Sequence, residues 1–192
     1  MSVTTTGRAS ARQRLLAAAD ELFYAEGVHS VGIDRVIEHA GVAKATLYNA
    51  FGSKDELIRA YLLGRLARRQ DRVARRLAGV EAPRDRILAV FDALTDVFNQ
   101  PGFRGCAFVN ASAEATPGGK VSEACATSRG WTRSTFRDFA AEAGVADPDQ
   151  LAEQLVLLYD GASVAAQLDG NAGAGAAART VAETLVDAAI RR

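Results

Sequence analysis

The sequence is poor in the residues that disulfide frameworks and common catalytic sites require, and in proline, which breaks helices: its 192 residues include two cysteines, two histidines and four prolines. Cys106 and Cys125 form no CxxC pair, so we expect free thiols in a reducing cytosol. His29 and His39 belong to no Ser-His-Asp, Cys-His or HExxH pattern, and the chain has no glycine-rich phosphate loop. These absences predict a protein that is not an enzyme and that uses no cofactor or metal.

Long apolar runs are also missing. No uninterrupted run approaches the ~18 residues that a membrane span needs, and no charged-then-apolar leader opens the chain. We therefore expect no membrane partner and a cytoplasmic location. Hydrophobic residues make up 48% of the chain and charged residues 24%, an ordinary balance for a globular protein with a sizeable core.

The charge of the chain is unevenly distributed. Its formal net charge is zero, but residues 1–79 hold 13 basic and 8 acidic residues, whereas residues 80–192 hold 10 basic and 15 acidic ones. This asymmetry predicts that only the first part contacts a polyanion. Within residues 1–54 the balance is six basic against five acidic, so non-specific electrostatic attraction to DNA is expected to be modest there.

Apolar residues recur at spacings of three and four through most of the chain, and no segment alternates as a strand would. The fold class predicted is all-α, with nine helices. Glycine, proline and capping residues set their expected limits, with a Gly/Ala-rich loop between Gly170 and Ala178. The expected helices run from about Ala9 to Gly27, Ile33 to Ala40, Lys44 to Phe51, Lys54 to about Ala78, Pro83 to before Pro101, Cys106 to Ala115, about Val121 to Ala143, Asp147 to about Leu168, and about Ala177 to Ile190.

We divide the chain into a disordered tail (1–8), a DNA-binding domain (9–53) and a helical remainder (54–192). The expected fourth helix carries a run of arginines. A solvated helix face explains such a run better than a DNA contact does. The run consists of Arg65, Arg68, Arg69, Arg72, Arg75 and Arg76.

Two short helices joined at Gly41 carry the clearest functional signal. Ala40 lets the helices approach, Gly41 allows the positive φ that the turn needs, and Val42 fills the corner. The second helix then turns Leu47 and Phe51 inward. Its outward residues are short or flat and carry hydrogen-bonding groups, which suits a surface that enters the major groove of DNA. This pattern is typical of a helix-turn-helix.

The stretch GVAKATLYNAFGSKDEL, from Gly41 to Leu57, closely resembles the signature of the tetracycline-repressor (TetR) family. The resemblance covers about residues 10–60, and the remainder matches only in layout. It implies a nine-helix architecture with an N-terminal three-helix DNA-binding domain and a C-terminal helical domain for ligand binding and dimerisation.

The resemblance also implies roles for single residues. Lys44, Ala45 and Thr46 would lie nearest the base edges, and Lys54 would anchor a phosphate. Tyr48 and Asn49 would contact phosphate or neighbouring bases.

The segment before the second helix departs from the family. Gly32 stands where many members have a threonine or serine, so a hydroxyl–phosphate contact is missing there, and Ser30 is expected to replace it in part. In the N-terminal arm, Arg8, Arg12 and Arg14 either contact DNA or belong to a solvated tail.

Family precedent favours a repressor that binds a palindromic operator as a homodimer and is released by a small apolar or aromatic effector. The dimer is expected to form through helices eight and nine, although the same residues also suit the core. Effector-binding candidates are aromatic residues with one polar neighbour, and for each aromatic a core position is the alternative. The interface candidates are Leu151, Leu155, Leu158, Tyr159, Ala162, Val181, Leu185 and Ala188. The effector candidates are Phe91, Phe98, Phe108, Asn110 and Trp131.

Two other functions stay open. A redox-sensing regulator would use Cys106 and Cys125, for which Arg104 is the nearest candidate cation along the sequence. The second is a helical adaptor that does not bind DNA.

Overall fold

The structure, a computed structural model, describes residues 9–113 and 115–191. Within them the chain forms nine α-helices and no strand, which confirms the all-α prediction. The predicted disordered tail, with Arg8, lies outside the described residues. The helices are α1 (Ala11–Glu26), α2 (Ile33–Ala40), α3 (Lys44–Phe51), α4 (Lys54–Leu77), α5 (Pro83–Phe98), α6 (Ala107–Ser112), α7 (Lys120–Glu142), α8 (Pro148–Asp169) and α9 (Ala174–Ile190).

Side-chain caps set three helix starts, at Ser10, Ser53 and Asp147. The Ser10 side chain accepts a hydrogen bond from the backbone N–H of Gln13, and the Gln13 side chain accepts one from the Ser10 N–H. This capping box starts α1 two residues later than predicted. Ser53 begins α4 in a similar way, because its side chain accepts from the Glu56 N–H at 3.2 Å.

The predicted Gly/Ala-rich loop is wrong beyond Gly173, because α9 already begins at Ala174. Alanine has the highest helix propensity, so this stretch continues the helix once it packs on a neighbour. Gly175 is buried, and a Cβ built on it would lie 2.2 Å from Thr95 Oγ1 on α5. Glycine at this position therefore lets α9 and α5 approach closely. The predicted α6 was also too long, since it covers only Ala107–Ser112.

Buried apolar residues form two clusters. The first joins α1, α2, α3, the first half of α4, α6 and the start of α7. The second joins the end of α4 with α5, α7, α8 and α9. Helix α4 contributes Leu57 and Leu66 to the first cluster and Val73 to the second. Packing is thus continuous across residue 54, and the predicted division between 9–53 and 54–192 stays a prediction.

The arginine run on α4 is only partly a solvated face. Arg65 donates to both carboxylate oxygens of Asp20, at 2.7 and 3.2 Å, and Arg68 donates to the same carboxylate. Arg75 is exposed, as predicted, whereas Arg69 is partly buried and its guanidinium bonds to Ser128 of α7 and to Cys106. The run therefore ties α4 to α1 and places one partly buried cation between α4 and α7.

In the part of the chain that the structure describes, every helix is too short or too polar to cross a lipid bilayer.

We expect Gly175→Ala to lower the free energy of unfolding by about 1–3 kcal/mol, because the added methyl group would overlap Thr95. Gly130→Ala, on an exposed turn of α7 with open space around it, is the matched control and should raise stability by about 0.5–1 kcal/mol. Urea unfolding measures both. Equal effects of the two substitutions would contradict the close packing of α9 on α5.

Candidate functional site

The turn between α2 and α3 is built on Gly41. Its φ of 61° is left-handed, a conformation that costs residues with a Cβ. The Gly41 N–H donates to the carbonyl of Glu38 at 3.1 Å, and the Val42 N–H donates to the carbonyl of Ile37 at 3.3 Å. These bonds satisfy carbonyls at the end of α2 and set the direction in which α3 leaves.

Apolar side chains hold the two helices on the rest of the domain. Val36 and Ala40 of α2 are buried, as are Leu47 and Phe51 of α3. The inward orientation predicted for Leu47 and Phe51 is therefore confirmed.

Arg14 has a structural role in this unit. Its Nε donates to the Ala40 carbonyl at 3.2 Å and its Nη1 to the Ala9 carbonyl at 3.0 Å. The guanidinium therefore caps the end of α2, which argues against the predicted contact with DNA. Arg12 is exposed, with its guanidinium 4.8 Å from the centre of the Phe51 ring.

The outer face of α3 is open to solvent. Lys44, Ala45, Tyr48 and Asn49 are exposed and Thr46 is partly exposed. Among residues 9–113 and 115–191, no side chain caps the N-terminus of α3, so amide groups of its first turn have no side-chain partner there. An uncapped helix start with exposed hydrogen-bonding side chains matches the shape and chemistry of a major groove.

Contacts bring the starts of α2, α3 and α4 together. Lys44 Nζ lies 2.8 Å from Asp34 Oδ1 in the first turn of α2. Lys54 Nζ lies 3.5 Å from the His29 carbonyl oxygen, next to the exposed Ser30. The predicted DNA-binding residues therefore share one end of the domain.

Gly32 is the N-cap residue of α2, and within the described residues no side chain bonds to the first turn there. The partial replacement of the missing hydroxyl by Ser30 stays a prediction.

Acidic partners neutralise several basic groups of this half. Asp34 raises the pKa of Lys44, first by a hydrogen bond and then by its charge. Arg35 pairs with Glu26, and His39 Nε2 lies 2.8 Å from Glu21 Oε2. These pairs agree with the weak local charge calculated from the sequence.

The predicted effector residues do not share one cavity. Phe91 has no accessible surface and stacks on Phe136 with ring centres 5.5 Å apart, so it borders no space large enough for water. Its predicted place in a cavity wall is corrected to the core. Trp131 is partly buried and packs against both clusters. Asn110 lines an open cleft of about 570 Å³ beside α1.

The two remaining candidates lie near each other. Phe98 and Phe108 border a cavity of about 70 Å³, and Phe108 also borders a second one of about 280 Å³. Arg69 lines both cavities, although the sequence predicts it as one member of a solvated run. Arg65, Arg69 and Arg72 are spaced by four and three residues, which places them on one face of α4. This spacing is the feature of the sequence that distinguishes them from Arg75.

Family models match most of the chain. Residues 15–61 match the model described as bacterial regulatory proteins, tetR family, and residues 83–182 match the tetracyclin repressor-like C-terminal domain. A TetR-family regulator from Streptomyces coelicolor is 38% identical, with 94% of each chain covered and a TM-score of 0.81. A TetR-type regulator from Streptomyces avermitilis is 35% identical, with 94% of this chain and 98% of the other covered and a TM-score of 0.83.

Two curated relatives match over shorter segments. The activator FasR of Mycolicibacterium smegmatis is 36% identical over 85 residues, which is 44% of this chain and 39% of FasR. The repressor NemR of Escherichia coli is 33% identical over 105 residues, 54% of this chain and 53% of NemR. The chain thus spans between two fifths and about half of the length of these relatives.

We expect Asp34→Asn to tighten binding to double-stranded DNA about two- to ten-fold at low salt, because it frees Lys44 and removes a carboxylate near the phosphates. Fluorescence anisotropy with a labelled duplex measures the change. Asp149→Asn, an equal charge change on α8, should have little effect. Equal affinities of Asp34→Asn and the unchanged protein would contradict a DNA-facing position of this pair.

Proposed function

Because the chain belongs to the TetR family, whose members are DNA-binding transcriptional regulators and not enzymes, we propose that it represses transcription by binding a palindromic operator as a homodimer. The observation that carries this proposal is the exposed outer face of α3, which lies beside the starts of α2 and α4. The opposite face of α3 is buried against the rest of the domain. In this proposal residues 9–53 read the DNA, and 54–192 bind the effector and form the dimer.

The contacts divide into two kinds. Lys44, Ala45 and Thr46 at the start of α3 face the base edges, which specify sequence. Ser30, Tyr48, Asn49 and Lys54 contact phosphates or neighbouring bases and position the domain. Their exposure and shared location support these roles.

Dimerisation doubles contacts that are individually weak. We propose α8 and α9 as the interface, but with a different stripe of α8 from the one that the sequence suggested. Leu151, Leu155, Tyr159 and Ala162 are buried in the second cluster of this chain, so they are core residues. The stripe open to a partner has the residues Leu157, Gly161, Val164 and Leu168 on α8, beside Val181 and Ala188 on α9.

The exposure of this stripe supports an interface. Leu157 is 69% exposed and Leu168 is 76% exposed, and Val181 is 49% exposed. Large apolar side chains grouped along one face favour association. Gly161 has no heavy atom near its missing Cβ, so a partner helix could approach closely there.

A small-molecule effector would act through α4, which follows the DNA-reading unit directly. The Asp20 carboxylate joins α1 to Arg65 and Arg68 of α4. Tyr24 Oη of α1 donates to the Gly105 carbonyl at 3.1 Å and accepts from the Arg104 N–H at 2.9 Å, just before α6. A ligand that prefers one position of α4 would therefore shift the reading unit. The curated relatives include both an activator, FasR, and a repressor, NemR. The choice of repression over activation therefore rests on family precedent.

We expect DNase footprinting of the DNA flanking the gene of this protein to protect a pseudo-palindrome with half-sites about one or two helical turns apart. Leu157→Glu should convert the dimer to a monomer in light scattering and abolish protection, because it places a charge in an apolar interface. Val109→Glu, at another exposed apolar residue, is the matched control and should stay dimeric.

Dimers that persist in Leu157→Glu would contradict the α8 stripe. If the unchanged protein protects no palindrome, either in the DNA flanking its gene or in duplexes selected from random sequences, the adaptor function would be favoured.

One contact favours a second candidate, redox sensing. Arg69 Nη2 lies 3.6 Å from Cys106 Sγ, so the cation beside this thiol is Arg69 and not Arg104, as the sequence suggested. Cys106 and Cys125 line the same cavity. A nearby cation stabilises a thiolate, which hydrogen peroxide oxidises to a sulfenate with release of water.

We expect iodoacetamide at pH 8 to label Cys106 in the Cys125→Ser protein faster than Cys125 in the Cys106→Ser protein. Burial raises the pKa of the Cys125 thiol to about 11, so little of it is thiolate at that pH. Mass spectrometry over time measures both rates. Peroxide that releases DNA equally well from the double serine variant would exclude the redox function.

A further inference from the structure

Two adjoining cavities meet at Arg69. The larger, of about 280 Å³, lies between α4, α6, α7 and α8. The smaller, of about 70 Å³, lies between α4, α5, α6 and α8. Both are lined by Arg69, Cys106 and Phe108. The charged end of Arg69 is thus positioned at the junction of the two spaces.

The Arg69 guanidinium has no carboxylate among its hydrogen-bond partners in the described part of the chain. Nη1 donates to Ser128 Oγ at 3.1 Å and Nη2 to Cys106 Sγ at 3.6 Å. The guanidinium carbon lies 4.8 Å from the centre of the Phe108 ring and 5.8 Å from that of Tyr159. Hydrogen bonds and aromatic faces orient the guanidinium without neutralising its charge.

No carboxylate within residues 9–113 and 115–191 lies at salt-bridge distance from Arg69. The acidic side chain in the larger cavity, Asp160, is bonded to Arg129. On the same face of α4, Arg72 has neither a hydrogen bond nor an ion pair among these residues, and burial is the main reason that its pKa is lowered. Other arginines of α4 do have carboxylate partners: Arg65 with Asp20, and Arg76 with Asp96.

A partly buried guanidinium without a counter-charge at salt-bridge distance is costly, because burial removes part of its hydration. Asp160 offers Arg69 only a longer-range attraction. A carboxylate suits it best, since two oxygens match the planar fork of donors. Apolar and aromatic side chains form part of the walls beside it, among them Phe108, Val156 and Phe98, next to the polar Ser128 and the Arg129–Asp160 pair. The site is therefore suited to a molecule that has one anionic end and an apolar body.

We propose that these two cavities bind a small organic carboxylate, with its carboxylate on Arg69 and its apolar body against Phe108 and Val156. This specifies the effector of the proposed function as an anion, where the sequence suggested only an apolar or aromatic molecule. Its regulatory consequence rests on that proposed function. Arg69 lies on α4 one turn beyond Arg65, so an anion held there pulls on the helix that Asp20 ties to α1.

The test compares acids with their neutral amides on the full-length protein. Benzoate and cinnamate are titrated by calorimetry beside benzamide and cinnamamide, which have the same shape without the charge. We expect at least one acid to bind more tightly than its amide, by a factor of about ten or more. A charge-assisted hydrogen bond to Arg69 would give a difference of this size.

Variants of α4 locate the site. Arg69→Met keeps an unbranched apolar stem without the charge and should remove the preference for the acid, while Arg69→Lys should keep it in part. Arg75→Met, on the exposed face of the same helix, is the matched control and should bind the acid normally.

The proposal is overturned if neither acid binds more tightly than its amide, or if Arg69→Met keeps the preference. The acid–amide comparison needs no variant, so a misfolded Arg69→Met still leaves a decisive result. Operator footprinting is performed separately. Palindrome protection without carboxylate binding would overturn this inference alone, and carboxylate binding without DNA protection would overturn the proposed function alone.

Discussion

The contact on which the two halves of this molecule depend is the pairing of one α1 carboxylate, Asp20, with two arginines of α4. Arg65 also stacks on Tyr24, with its guanidinium carbon 3.8 Å from the ring centre, so the ion pair is partly shielded from water. A shielded, bidentate pair is stiffer than an exposed one. Because α4 belongs to both hydrophobic clusters, this contact makes the first helix follow the long one.

That arrangement provides a physical route for the effector response proposed above, from α7 and α8 to the end of the molecule proposed to read DNA. Helix α4 is continuous from Lys54, beside the reading end, to Leu77 in the second cluster. A displacement of its middle is transmitted along it, since a helix bends far less easily than a loop. The hydrogen bonds of Tyr24 to Arg104 and Gly105 add a second connection between α1 and the C-terminal helices, through the segment before α6. Two connections restrict rotation as well as translation.

The sequence was most informative where the deciding interactions are local. The turn at Gly41 and the caps at Ser10 and Ser53 involve neighbours within a few residues, so their patterns are readable. Positions set by distant packing were not readable. Leu155 and Leu157 on α8 are both leucines, and only the docking of α7 and α9 decides which is core. The surroundings of Arg69 depend in the same way on three helices that follow it in the chain.

The ion pair between Lys44 and Asp34 has a consequence for how such a protein would find its target. Each copy in a cell meets a vast excess of unrelated duplex, which competes with the intended site. A lysine that already has its own counter-ion gains less from any arbitrary phosphate, so random stretches hold the protein weakly. The protein would therefore spend less time bound to non-specific DNA and would find its operator faster.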